Sequence, residues 1–276
     1  MIKNFLKDGR HYQILFLGTF LLYGTFVLRW ETYWSQLIAI FATALLTQFA
    51  GIRFLKLPSH SWKSALITCL GLSLLLKTNH WSIAALAAFL AIASKFVFKV
   101  NGKHIFNPGN FGIIAVILLT KQAWISPGQW GSGAILLFLV GILGSVVVYK
   151  VNRLDTSFAF IGTLIALQVW RNVIYQGWPF DYIIQQFTNG SMLLFTFFMI
   201  TDPVTTPNNR SARIIWSTLI AVISFYIGNY YFVNGAPVWI LFFLSPLTPF
   251  FDMVFKGTKF EWLKTTQQNH LIHPTK

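Results

Sequence analysis

The stretch that decides the fold runs from Phe195 to Arg213 and reads Phe-Thr-Phe-Phe-Met-Ile-Thr-Asp-Pro-Val-Thr-Thr-Pro-Asn-Asn-Arg-Ser-Ala-Arg. An apolar run ends abruptly at Thr201-Asp202-Pro203, a polar loop follows, and a second apolar run begins at Ile214. Asp202 is one of only seven acidic residues in the chain. Because a carboxylate at the end of a membrane-length apolar run is costly, we expect this corner to belong to a functional site.

The composition around this corner indicates an integral membrane protein. The 276 residues are 55% hydrophobic and 10% charged, with a mean hydropathy of +0.60, whereas soluble domains carry roughly 25% charged residues. No polar stretch is long enough to form a separate catalytic domain of about 50 residues. The single cysteine, Cys69, lies inside an apolar run, which excludes a disulfide framework and a cysteine metal site.

Ten apolar segments approach the length of about 20 residues that a membrane-crossing helix needs. The first follows a basic N-terminus, and we interpret it as a transmembrane helix and not as a removed signal peptide. In the eighth, polar residues from Gln185 to Gly190 precede the apolar part, so this segment is either one helix or a broken one. The predicted segments are 11–28, 35–54, 62–77, 81–98, 109–124, 132–150, 157–171, 183–201, 212–230 and 236–255.

The positive charges support this count and set an orientation. With the N-terminus inside, only Arg29, Lys77, Lys121 and Arg171 of the 21 lysines and arginines fall on the outer side, and the other 17 fall on the inner side. Cytoplasmic loops are rich in Lys and Arg, so both termini and the tail 257–276 are predicted to be cytoplasmic. The net charge of +14 is therefore a topology signal, and no nucleic-acid partner is expected.

A three-residue motif that occurs twice suggests an internal repeat. Val100-Asn-Gly102 precedes the fifth segment and Val233-Asn-Gly235 precedes the tenth. Five helices separate the two, and an odd number reverses the direction of the chain. An inverted repeat places a binding site at the repeat interface. We therefore expect a single transmembrane domain, 1–276, with possible repeats 1–124 and 131–256.

The first candidate site precedes the fifth segment. Asn107 is a good helix cap, Pro108 suits the first helical turn, and the amides of Gly109 and Asn110 would then point out of the helix. Such a terminus can hold a phosphate or another electron-rich group. The alternative is a capped re-entrant turn without a ligand.

Two further stretches stand out from the apolar background. Asp202-Pro203 has the same order of cap and proline, and Thr205 adds a hydroxyl nearby; a plain capped helix connection is the alternative. In the tenth segment, Pro246 and Pro249 should bend the helix. Asp252 follows them, and the alternative for it is a surface ion pair with Lys256.

Other familiar chemistries are absent from the sequence. The six histidines are scattered, with no i, i+4 pair that would bind a metal, so no metal site is predicted. The acidic residues lie near helix ends, which argues against a proton relay through mid-membrane carboxylates as the sole mechanism.

Three motifs together resemble the RnfD/NqrB family, membrane subunits of ion-translocating electron-transport complexes. The resemblance implies about ten helices in a urea-transporter-like fold of two inverted five-helix repeats, with an inner (plasma) membrane location and other membrane or redox subunits as partners. The motifs are Phe198–Pro207 with Asn209-Arg210, His104–Pro108 with Gly112, and Gly235–Leu241 continuing to Pro249 and Asp252.

Departures from the family pattern bear on the cofactor. Larger family members carry an insertion on the outer side, between the fifth and sixth segments. The threonine of its Ser/Gly-Ala-Thr motif binds FMN covalently through a phosphoester. Here the nearest remnant, Ser132-Gly-Ala134, is followed by Ile135, so covalent FMN is not expected. A family asparagine in the last helix is Ser245 in this chain. The chain is similar to the short branch of RnfD-like proteins associated with enediyne-type biosynthetic clusters (the UnbU group).

The sequence thus predicts an all-α polytopic membrane subunit for electron transfer coupled to ion movement. We expect a non-covalent flavin (riboflavin or FMN) or a redox partner. The alternative is a small-solute or ion transporter of related fold without redox chemistry. The catalytic residues are not predicted; the candidate cofactor-binding residues are Asn107, Pro108, Gly109, Asn110, Thr201, Asp202, Thr205 and Asp252.

Overall fold

The computed structural model describes residues 8–31, 33–55, 61–126, 134–260 and 262, with the backbone alone for 134–139. The described chain is almost wholly helical, with two short antiparallel strand pairs. This confirms the prediction of an all-α polytopic protein.

Four of the twelve α-helices in the described residues are directly continuous with another helical stretch. α7 and α9 each pass directly into a π-helical stretch, Val169–Tyr175 and Phe195–Met199, and a 3₁₀ turn at Ser245–Leu247 joins α11 to α12. The helices are α1 Gly9–Phe26, α2 Trp34–Leu55, α3 Trp62–Leu75, α4 Trp81–Val97, α5 Pro108–Thr120, α6 Ala134–Lys150, α7 Leu154–Gln168, α8 Asp181–Phe187, α9 Gly190–Leu194, α10 Arg210–Tyr230, α11 Ala236–Leu244 and α12 Thr248–Val254; the strands are β1 Leu76–Thr78, β2 Lys99–Val100, β3 Lys103–His104 and β4 Ala123–Ile125.

Helices occupy all ten predicted ranges within the described residues. Four helical stretches are long and apolar enough to cross a membrane by length and composition, which supports a multi-pass membrane protein. The count of ten crossings and the cytoplasmic termini stay predictions. The four long stretches are Trp34–Leu55, Leu154–Tyr175, Arg210–Tyr230 and Ala236–Val254.

The predicted ends of the third and fifth segments were wrong. α3 ends at Leu75 and α5 at Thr120, because the residues that follow them form β1 and β4, which pair antiparallel. A left-handed backbone at Lys121, with φ of 53°, turns the chain out of α5.

The eighth segment is broken. α8 ends at Phe187, and the side chain of Asn189 accepts a hydrogen bond from the Ser191 amide at the start of α9. The tenth segment is interrupted by the 3₁₀ turn at Ser245–Leu247, where Pro246 cannot donate a backbone hydrogen bond, while the predicted bend stays a prediction.

Small residues allow the central helices to approach closely. α4 presents Ala84, Ala87, Ala88 and Ala91, all buried, to its neighbours. A Cβ added at Gly112 on α5 would lie 2.6 Å from the Ala87 carbonyl oxygen. This glycine is therefore required for the contact between α4 and α5, as is common where membrane helices pack.

Both copies of the Val-Asn-Gly motif form left-handed turns, and each precedes a helix with a proline in its first turn. Gly102 has φ of 71° and Gly235 has φ of 67°, conformations that favour glycine. The side-chain Nδ2 of Asn110, in the first turn of α5, donates to the Val238 carbonyl in the first turn of α11 (2.7 Å). The starts of the two helices therefore touch, while the inverted repeat itself and its boundaries stay predictions.

Candidate functional site

The start of α5 has the capped geometry that the sequence predicts. The side-chain Oδ1 of Asn107 accepts a hydrogen bond from the Asn110 amide (3.1 Å), and Pro108 occupies the first helical turn. The cap leaves the Nδ2 of Asn107 free to bind elsewhere.

That Nδ2 donates to the Asp202 carboxylate, at 3.1 Å from Oδ2. The other carboxylate oxygen of Asp202 accepts from the Val204 amide (3.1 Å), and its backbone carbonyl accepts from the amides of Thr205 and Thr206. Asp202 thus organises the turn after α9 and fastens it to α5, which lies 95 residues away in the sequence.

Asn107 and Asp202 meet at the wall of a cavity of about 670 Å³, which we call the first cavity. It lies among α1, α2, α3, α4, the start of α5 and the turn after α9. Its walls combine apolar and polar side chains. The lining residues are Arg10, Gln13, Leu17, Gln48, Ser61, Ser64, Ile67, Thr68, Gly71, Leu75, Lys95, Phe96, Lys99, Gly102, His104, Asn107, Pro108, Gly109, Leu194, Phe198, Met199, Asp202, Val204, Lys259, Phe260 and Trp262.

Two polar atoms of the lining have no hydrogen-bond partner in the described chain. These are Oε1 of Gln48, whose side chain is 2% exposed, and Nδ1 of His104. The Nε2 of Gln48 is already used, since it donates to Ser61 (3.1 Å). Buried polar atoms are nearly always paired with protein or with ordered water, so these two atoms are available to bind water or a ligand in the cavity.

Burial sets the protonation of the two titratable groups beside the helix start. Loss of solvent lowers the pKa of His104 to about 4, and the nearby Lys95 and Lys99 act in the same direction. Burial also raises the pKa of Asp202, opposed by the hydrogen bond from Val204 and the charge of Lys95. Asp202 is one of the residues that line the first cavity.

Positive charge predominates in the lining. Arg10 is paired with Asp8 (2.8 Å), so the excess comes from Lys95, Lys99 and Lys259. Lys95 is 4% exposed, and its ammonium donates to Ser64 (3.1 Å), whereas the other two lysines are exposed.

The structure brings together only some of the predicted site residues. Asn107, Pro108, Gly109 and Asp202 line the first cavity. The others are absent from its described lining: Asn110 bonds to Val238, Thr201 donates to the Phe197 carbonyl (2.6 Å), and Thr205 donates to the Asp202 carbonyl (3.4 Å).

Asp252 belongs to a separate group of contacts. Its carboxylate accepts from Lys103 (2.7 Å) and from the Asn208 amide (2.7 Å), and Lys103 also donates to the Thr206 carbonyl. The alternative of a surface pair with Lys256 was therefore wrong. Asp252 instead ties the turn after α9 to β3 and α12.

The turn that carries Asp202 lies within a part of the chain that matches a known family. A model of the NQR2, RnfD, RnfE family matches residues 118–261, about half of the sequence, including Thr201–Arg213 and Asp252. The chain belongs to this family. It is a membrane subunit of the ion-translocating electron transport type. No curated protein matches the chain closely enough to be reported.

The family match does not reach every part of the site. Asn107 and most of the first cavity precede residue 118, and the short-branch resemblance stays a prediction. The remnant Ser132-Gly133 of the covalent-FMN motif lies outside the described residues.

Two arginines of this NQR2/RnfD/RnfE member were expected only as loop charges. Arg153 donates to Thr206 (3.0 Å) and to the Pro203 carbonyl (3.3 Å), and Arg213 forms a two-pronged pair with Asp155 (2.6 Å at its shortest). Burial lowers the pKa of Arg153 to about 10, with a further contribution from Arg213. Arg213 also donates to the Asn208 carbonyl (2.8 Å), so both side chains hold the turn that carries Asp202.

A second cavity, of about 410 Å³, was not predicted from the sequence. It adjoins the start of α11, so the Val233-Asn-Gly235 motif was the only signal that pointed to it. Its lining residues are Ile125, Ser126, Leu164, Gln168, Gln186, Asn189, Ser191, Met192, Phe195, Ser224, Phe225, Gly228, Asn229 and Phe232–Val238.

Proposed function

We propose that this chain is an electron-transport subunit that holds a non-covalent flavin, riboflavin or FMN, in the first cavity. The observation that carries the proposal is the cavity itself, which joins Asn107 and Asp202 to apolar walls within about 670 Å³. Sites for cofactors of this size typically occupy about 300–1,000 Å³ and are mostly apolar with a few polar groups.

The lining suits a flat ring system with polar edges. Leu17, Ile67, Phe96 and Phe198 offer apolar contacts. The unpartnered atoms of Gln48 and His104, together with the Asp202 carboxylate, offer hydrogen bonds to edge groups. The flavin would supply the electron-transfer chemistry, while the protein binds and orients it.

The charges at the cavity support a phosphate-bearing form. Lys99 and Lys259 are exposed lining residues, so they are accessible to a phosphate at the cavity's mouth. The capped start of α5 adds a further positive end to the wall, because the amides of a helix N-terminus favour electron-rich groups. Riboflavin has the same ring system and ribityl chain but lacks the phosphate, so we expect FMN to bind more tightly.

We further propose that electron transfer in this subunit is coupled to ion movement and depends on partner redox subunits in the inner (plasma) membrane. Family membership supports a complex of several subunits. Both termini are proposed to face the cytoplasm, because most of the Lys and Arg residues then lie on that side.

The direct test is flavin retention by the full-length chain in lipid nanodiscs, followed by the visible absorbance of the bound flavin. Gln48→Met removes the unpartnered acceptor while keeping the side-chain length, and losing one hydrogen bond should weaken binding about twofold to tenfold. Gln186→Met is the matched control, since that glutamine lines the second cavity and also has an unpartnered Oε1. Equal effects of the two substitutions would argue against a flavin in the first cavity.

A further inference from the structure

The second cavity differs from the first in its charge. No described residue that lines it is ionisable, whereas the first cavity contains lysines, an arginine and an aspartate. Moving a charged ligand out of water without a counter-charge costs several kcal/mol, so such a cavity excludes ions. The lining therefore selects for neutral molecules.

The polar groups of this cavity are amides and hydroxyls, and two of them lack partners in the described chain. Ser224, whose side chain is 3% exposed, has an unbonded Oγ, and Gln186 has an unbonded Oε1. Asn172 donates to the Oε1 of Gln168 (2.9 Å), which leaves the Nε2 donor of Gln168 for the cavity. Unpaired buried groups of this kind indicate a hydrogen-bonding occupant.

The floor of the cavity is aromatic, and its exposed part combines amide side chains with the ring of Phe232. Phe195 and Phe225 are buried, whereas Asn189 and Asn234 are exposed. A molecule with hydroxyl groups on its edges and C–H groups on its faces would satisfy both parts. Sugars and cyclic polyols have this distribution.

Two π-helical stretches border the same space. One begins at Val169, directly after the lining residue Gln168, and the other begins at the lining residue Phe195. Such stretches are rare and occur frequently at functional sites.

We propose that the second cavity binds an uncharged polyhydroxy solute of about the size of a hexose. The inference is independent of the flavin proposal, because it concerns a different set of residues. Binding requires the amides of Gln168 and Gln186 and the hydroxyl of Ser224.

The test uses saturation-transfer NMR on the full-length chain in nanodiscs with three sugars of one ring size. D-glucose is neutral, D-glucuronate is anionic and D-glucosamine is cationic. We expect saturation of glucose signals and much weaker saturation of both charged sugars. Equal signals from the charged sugars, or none from glucose, would overturn the proposal.

Two variants locate the binding. Gln186→Met removes an acceptor, and Ser224→Leu removes the hydroxyl and fills part of the floor. Each should weaken glucose binding by about twofold to tenfold or more, while Gln48→Met in the first cavity should leave it unchanged. Glucose signals that respond only to Gln48→Met would contradict the assignment. If a variant fails to fold, the comparison of the three sugars on the unaltered chain still tests whether the protein selects the neutral sugar.

Discussion

Asn107 and Asp202 are joined by a hydrogen bond of 3.1 Å across the wall of the first cavity. The bond connects the start of α5 to the turn after α9, so it fixes two elements that are distant in the sequence. It also places an amide and a carboxylate side by side at the wall of the proposed flavin cavity.

Replacing Asp202 should impair function more than membrane insertion. In Asp202→Ala the amide of Asn107 and the amide of Val204 lose their acceptor, which costs about 1–3 kcal/mol per unsatisfied group. The helices themselves keep their apolar faces, so the yield in the membrane fraction should stay close to that of the unaltered chain. Asp181→Ala, at an exposed position on α8, is the control. Normal flavin binding in a well-expressed Asp202→Ala variant would contradict the role of this residue.

The pair between Arg213 and Asp155 should support the fold strongly. Their side chains are 7% and 8% exposed, and Asp155→Asn would leave the arginine without its counter-charge. Breaking a buried pair in this way costs about 3–5 kcal/mol. Thermal unfolding in detergent should show a clear fall in Tm. The exchanged double variant Asp155→Arg with Arg213→Asp should recover part of the loss, and an unchanged Tm in Asp155→Asn would refute the claim.

Acid should destabilise the chain through His104. Its pKa in the folded protein is about 4, below the ordinary value of 6.5, so the unfolded chain binds more protons between these two values. The contribution of this residue to stability therefore falls as the pH drops from about 6.5 toward 4. Tm measured at pH 7 and pH 5 should fall less in His104→Gln than in the unaltered chain. Identical pH dependences would show that His104 is not held neutral.

Close packing of α5 on α4 should not tolerate a methyl group at Gly112. The added Cβ would lie 2.6 Å from the Ala87 carbonyl oxygen, and overpacking of this kind costs about 1–3 kcal/mol. Gly162→Ala is a matched control, because no heavy atom lies within 4 Å of its added Cβ. A lower Tm is expected for Gly112→Ala and an equal or higher one for Gly162→Ala.

The helices could be predicted from the sequence because apolar length is a local property. The cap at Asn107, the break near Asn189 and the interruption at Pro246 are local as well, since each depends on neighbouring backbone groups. The ends of α3 and α5 were missed because the pairing of β1 with β4 joins residues far apart in the chain.

Tertiary partners could not be predicted in the same way. Lys95 was counted only as an inner-side charge, yet it is 4% exposed and lines the first cavity. The alternative for Asp252 paired it with Lys256, four residues along the chain, whereas its partner, Lys103, precedes it by 149 residues. The positions of Gln48 and Gln186 at cavity walls could not be predicted, because an amide in or beside an apolar run does not reveal a cavity.

The most direct test of the flavin site is to titrate the full-length chain in nanodiscs with FMN and with riboflavin while flavin fluorescence is recorded. We expect saturable binding of one flavin per chain, tighter for FMN than for riboflavin, and weakened by Gln48→Met but not by Gln186→Met. Linear, unsaturable changes with both flavins, or saturable binding that only Gln186→Met weakens, would contradict the proposed site.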